Sequence, residues 1–174
     1  MKRLFGLLPI ATPAAALAAA LAVATTVSAV AVAAAAAAAD REGWVRHETK
    51  IAYSKLVKKL NAAVKAEKML LVTRASASSG AKRRKIKIPG NMIIGVYRND
   101  YALRMLDASV DAGIEAPVRF YITENDGGTA TLSYKTPSHV FSPYFATAKP
   151  DLAVLAKELD GIFDKIAKRA IRGE

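Results

Sequence analysis

From Lys149 to Arg172 the apolar residues Leu152, Leu155, Ala156, Leu159, Ile162, Phe163, Ile166 and Ala170 recur every three or four positions, with charged residues between them. That period holds them on one face of a helix for about six turns of 3.6 residues. Pro150 stands where a helix can start, and Asp151 complements the positive end of the helix dipole. Lys165, Lys168, Arg169 and Arg172 complement the other end. A stripe this long must be covered by a broad apolar surface, and a sheet in the same chain is the only candidate.

The strands for that sheet can be read upstream. "WVRHETKIAY" reads as a first strand, but its charges at Arg46, His47, Glu48 and Lys50 make it an edge or a half-exposed one. "YSKLVKKLNAAVKAEKM" reads as a helix, with Ser54 as N-cap and Leu56, Val57, Leu60, Ala63 and Val64 on one face. "MLLVTRAS" and "NMIIGVYR" are apolar, β-branched runs separated by a basic stretch and Pro89-Gly90. "YALRMLDAS" is a short helix, closed by "DAGIEAP". "VRFYITEN" and "TATLSYKT" flank Asp126-Gly127-Gly128, the strongest hairpin signal in the chain. Alternation sends Val118, Phe120 and Ile122 to one side of the sheet and Arg119, Tyr121 and Thr123 to the other. The order is strand, helix, four strands with a short helix between the second and third, then the long helix. Hairpin connection makes the sheet antiparallel, and the class is α+β.

The N-terminal end is of another kind. After Met1-Lys2-Arg3, no charge occurs from Leu4 to Ala39, a run dominated by alanine. A basic start, an apolar stretch and small residues before Asp40 describe a secretory signal, with cleavage between roughly residues 30 and 40. The rival reading is an uncleaved membrane anchor. The run exceeds the roughly 20 residues a spanning helix needs, but alanine is only marginally apolar, and Pro9 and Pro13 interrupt the front. Either way residues 40–174 are expected to be one exported domain, periplasmic or extracellular. Beyond Lys2 and Arg3 there remain 24 of the 26 Lys and Arg against all 15 Asp and Glu, a net charge of +9. The chain has no cysteine, which excludes disulfide support, thiol catalysis and Cys-ligated metal.

The order of elements and several short runs resemble the bacterial family called domain of unknown function 302. The likeness spans residues 50–170 and rests on the first helix, "GVYRND", "EAPVRFYITENDGGTATLSYKTP" and the final amphipathic helix. Asn99 matches the family's Asn in a Gly-Asn-Pro segment, which here reads Arg98-Asn99-Asp100. Glu115 and Pro117 match its Asp-Leu-Pro entry to a strand, and Tyr134 and Pro137 its Tyr-x-x-Pro. Many members carry Ile-Asp-His after the second strand; Ala75-Ser76-Ala77 stands there instead. The resemblance implies a TATA-binding-protein-like sheet, often paired into homodimers, and brings no reaction.

The chemistry-bearing residues are few. His47 and His139 lie in different elements with no second ligand at metal spacing, so no metal site is expected. There is no nucleophile elbow, no GxGxxG and no P-loop, and no cofactor is expected. Glu124 and Asp126 sit beside a turn that already accounts for the Asp. The notable feature is "SASSGAKRRKIKIPGN", where Lys82, Arg83, Arg84, Lys85 and Lys87 fall within six positions with no acid. It reads either as a solvated connection between strands or as a site for an anionic envelope lipid or polymer. Nucleic acid is disfavoured because the chain looks exported and no aromatic residue interleaves the cluster. A second candidate is a ligand cleft on the sheet, with Tyr97, Tyr121 and Tyr134 as walls and Arg98, Asn99 and Arg119 nearby. The expected function is therefore binding of an anionic surface or a small ligand. The alternative is a hydrolase or isomerase using Asn99, Arg119 and Tyr134.

Overall fold

The structure is a computed structural model and describes residues 41–172. The apolar N-terminal run, with its signal or anchor reading, lies outside the described residues. Five strands form one sheet: β1 (Trp44–Ala52), β2 (Leu70–Ala75), β3 (Asn91–Tyr97), β4 (Val118–Glu124) and β5 (Thr129–Lys135). Their order is β1-β5-β4-β3-β2, and every neighbouring pair is antiparallel. The two edges are therefore β1, the charged first strand, and β2. Helix α1 (Tyr53–Ala66) carries the chain from one edge to the other.

Among the described residues the other α-helices are α2 (Ala77–Arg83), α3 (Asn99–Ala108), α4 (Pro137–Phe141) and α5 (Asp151–Arg172). Helix α5 packs against α1, α3 and α4. It buries Leu152, Leu155, Ala156, Leu159, Phe163, Ile166, Ala167 and Ala170. Phe163 stacks on Phe120 of β4 with centroids 4.6 Å apart, and Tyr134 of β5 lies 5.6 Å from Phe163. The long stripe thus meets the sheet face it required. Polar ties fix its surroundings: Arg104 grips Glu158 with two bonds of 2.8 and 2.9 Å, and Asp160 accepts from the Ser138 N–H and hydroxyl at 2.9 and 2.6 Å.

Alternation in β4 runs as expected: Val118, Phe120 and Ile122 are buried toward the helices, and Arg119 is exposed on the other side. Gly95 of β3 lies on that second face. A methyl group there would come within 2.8 Å of the Pro117 ring and would also strike the Thr73 hydroxyl. Only glycine lets β2 and the Pro117 entry close over β3.

Three local expectations change. Ser54 does not cap α1. The helix begins at Tyr53 with Ala52 in the cap position and no side-chain bond there, so its apolar face, with Leu56, Leu60, Ala63 and Val64 buried, holds it in place. The basic stretch is not all connection, since residues 77–83 form α2. Helix α4 and the 3-10 turns Asp111–Glu115 and Ser142–Tyr144 fall where the sequence suggested only breaks or loop.

Candidate functional site

Ser76 begins the basic segment. Its hydroxyl accepts from the Ser79 N–H at 3.1 Å and caps α2. The side chain of Asn91 on β3 accepts from the Ala77 N–H at 2.8 Å, and the Asn91 backbone N–H donates to the Ser78 hydroxyl at 3.2 Å. The far end is pinned as well: the Gly90 N–H donates to Glu124 Oε2 at 2.6 Å, and the Glu124 N–H donates to the Gly90 carbonyl at 2.7 Å. Tyr53 packs so close to Gly90 that a β-carbon would sit 2.7 Å from its ring. Both ends of the segment are therefore fastened to the sheet, while residues 82–89 are all exposed.

Helix α2 ends in a Schellman arrangement. The Lys85 N–H donates to the Lys82 carbonyl and the Ile86 N–H to the Ala81 carbonyl, both at 3.0 Å. Lys85 occupies the left-handed position at φ 60°, where glycine is usual. A side chain there costs about 1–2 kcal/mol. The turn throws Ile86 outward, 56% exposed, with Ile88 41% exposed two residues on. Such motifs usually tuck the residue after the left-handed position against the helix; here it faces solvent. Lys82, Arg83, Arg84, Lys85 and Lys87 surround the two isoleucines. None of the five forms an ion pair with a described carboxylate. A cleft of about 540 Å³ beside them is lined by Tyr53, Ser78, Ser79, Lys82, Lys85 and Lys87.

The other predicted residues are dispersed. Arg98 donates to Asp100 at 2.8 Å and lies 4.3 Å over the Tyr101 ring. Its hydrogen bond holds the Asp100 carboxyl below the ordinary range. Asn99 is the exposed first residue of α3. Arg119 and Tyr121 belong to the face of the sheet turned away from α5. A second cleft, about 220 Å³, lies there against Trp44, Ser133 and Lys135. Tyr134 borders it too, but its ring is buried in the other layer against Phe120 and Phe163. Burial, aided by the charges of Asp164 and Asp160, pushes the Tyr134 hydroxyl up to about 12. Tyr97 follows Val96, which pairs with Val118 on the helix side, so Tyr97 shares the face of Tyr121. The three tyrosines do not form one wall, because strand alternation divides them.

Sequence reasoning missed Trp44, Ser133 and Lys135 as neighbours of Arg119. Their only common signal is the alternation in β1 and β5, which becomes informative once the β1–β5 register is known. Among the described residues no group of three or more His, Asp or Glu side chains could hold a metal ion. Nor is any described helix long and apolar enough to cross a membrane.

The family model described as "Domain of unknown function DUF302" matches residues 45–170. A solved structure with the same fold is the uncharacterized conserved protein DUF302 from Bacillus stearothermophilus, at a TM-score of 0.65 and 14% identity. The match covers 75% of this chain and 99% of that one. No curated protein matches the chain.

Proposed function

Because the chain belongs to the DUF302 family, whose description names no reaction, we propose its function from its own surface: it is a binding module that docks on an anionic lipid surface through α2 and the loop that follows. The carrying observation is the exposure of Ile86 and Ile88 amid five cations that form no ion pair with a described carboxylate. A segment needed only for solubility has no use for two exposed isoleucines. A headgroup region suits both halves, with phosphates for the cations and the acyl boundary for the aliphatic tips. Each basic side chain near such a surface contributes about 1 kcal/mol, so five give gross attraction of about 5 kcal/mol, enough for reversible peripheral binding. The pinned ends of the segment lessen the ordering cost of docking. The Lys85 side chain at a glycine-preferring position is consistent with selection for charge over local stability. Export of residues 40–174, with the N-terminal run as signal or anchor, would place this surface at the envelope.

Asn99 heads α3 and does not line the cleft that Arg119 and Tyr134 border, and the Tyr134 ring packs against Phe120 and Phe163, so the hydrolase or isomerase reading has no assembled centre of these three to support it. The test uses residues 41–174, vesicles of zwitterionic lipid, and the same vesicles with an anionic phospholipid added. The domain should sediment with the anionic vesicles only, and less at high salt, because exposed charges are screened over about 8 Å at physiological ionic strength. Replacing Arg83, Arg84 and Lys85 with Gln should weaken binding by about a hundredfold. Ile86→Ser with Ile88→Ser should weaken the binding that persists at high salt. Equal binding by parent and triple variant would overturn the reading, and so would a preference for single-stranded nucleic acid over anionic vesicles.

A further inference from the structure

The cleft on the face away from α5 lies at the opposite side of the sheet from the layer that makes the core, and the docking surface does not use it. Its walls are Trp44 of β1, Tyr121 of β4 and Ile93 of β3, with the buried Ser133 of β5 between them. The charges are what need explaining. Phe120 pairs with Tyr134, so Arg119 and Lys135 stand one step further along as cross-strand neighbours on the same face. Like charges in that relation repel and destabilise a sheet. Neither has an ion pair with a described carboxylate. Glu115 also lines the cleft, but its Oε1 accepts the Tyr144 hydroxyl at 3.0 Å.

We propose that this cleft binds a small planar monocarboxylate, with the carboxylate between Arg119 and Lys135 and the flat body against Trp44 and Tyr121. A guanidinium can receive a carboxylate through two parallel bonds, which relieves the repulsion between the two cations. The volume of about 220 Å³ falls below the roughly 300–1,000 Å³ of drug-sized pockets, so the ligand is of single-ring size. Glu115 at the rim repels a second negative charge, which selects a monoanion over a dianion. Thr73 and Pro117 close tightly over Gly95 and leave no room for the ligand to spread toward β2.

Trp44 is the single tryptophan of the chain, so its fluorescence reports this cleft. The full chain is titrated with benzoate and with trans-cinnamate, with benzamide and cinnamamide as neutral counterparts and phthalate as a dianion. The acids should change Trp44 emission saturably, and calorimetry should give the same affinity. The amides should bind at least tenfold more weakly, as expected for loss of a charge-assisted bond, and phthalate should bind more weakly than benzoate because Glu115 repels its second charge. Arg119→Gln should cost a similar factor, Arg119→Lys less, and Lys135→Gln should also weaken binding. Both positions carry exposed side chains, and circular dichroism of each variant verifies the fold. The proposal is overturned if neither acid binds at millimolar concentration, or if acid and amide bind alike. It is equally overturned if Arg119→Gln binds as the parent does, or if ultracentrifugation shows a homodimer that Arg119→Gln dissociates, since a second copy would then occupy the face.

Discussion

His47 stands on β1 opposite Leu132 and turns toward the helix layer, 6.5 Å from the Tyr134 ring. Its Nε2 is buried without a hydrogen-bond partner among the described residues. Burial is the main reason its pKa falls below 6.5; Asp164 on α5 opposes the shift and Lys168 on the same helix adds to it. An unfolded chain has the ordinary value near 6.5, so on acidification the unfolded state takes the proton first. Stability from this group is complete above that value and is lost as pH falls from about 6.5 toward the lowered folded pKa. The thermal midpoint should therefore drop between about pH 7.5 and 5.5, a window above most carboxylate titrations. In His47→Gln, thermal melts across the same window should show a flatter dependence. An unchanged slope would mean that His47 is solvated in the folded state. The histidine itself was visible in the sequence, but the burial of its Nε2 was not, because β1 reads as a charged edge strand and its neighbours Tyr134, Asp164 and Lys168 come from distant elements.

At the scale of elements, α5 was the most legible and carries the sharpest mutational contrast. Leu159 is 5% exposed under the sheet, whereas the Lys157 side chain is 84% exposed with one loose contact of 3.9 Å to Asp160. Leu159→Ala should cost about 2–5 kcal/mol, from lost transfer energy plus the cavity left behind. That should lower the melting midpoint by at least several degrees. Lys157→Ala should stay within about 0.5 kcal/mol of the parent. If the two variants melted in the reverse order, the buried face of α5 would be wrongly placed. Helix α2 is the contrary case. Its seven residues, Ala77–Arg83, bury no side chain, so there is no apolar period to detect. It exists because Ser76 caps it and Asn91 holds its first amides, and Asn91 comes from a strand fourteen residues beyond Ala77.

For the whole molecule, residues 42–174 form one compact unit, and the family match at 45–170 falls inside it. The core within that unit joins residues from Leu56 to Ala170 in a single cluster across both layers. The fragment 41–174 should therefore unfold in one cooperative transition, with calorimetric and van't Hoff enthalpies in agreement. A broad, probe-dependent transition would show that residues outside the fragment complete the core.

Sequence alone was enough for whatever depends on period and composition. The stripe on α5 demanded a sheet, the Asp126-Gly127-Gly128 turn demanded a hairpin, and the alternation of β4 assigned its two faces, because 3.6-residue and two-residue repeats are properties of a local backbone. The same holds for the basic segment, whose charge is a matter of counting. Tertiary structure decided whatever depends on register between distant strands. Trp44 meets Lys135 across ninety residues, so the cleft beside Arg119 has no local signature. Tyr134 and Tyr121 are parted to opposite layers by the pairing of Phe120 with Tyr134, which no single strand reveals. The exposure of Ile86 and Ile88 was also a tertiary outcome: the anchors at Asn91 and Glu124 fasten the ends of the segment, and the left-handed turn at Lys85 then directs its apolar residues away from the core instead of into it.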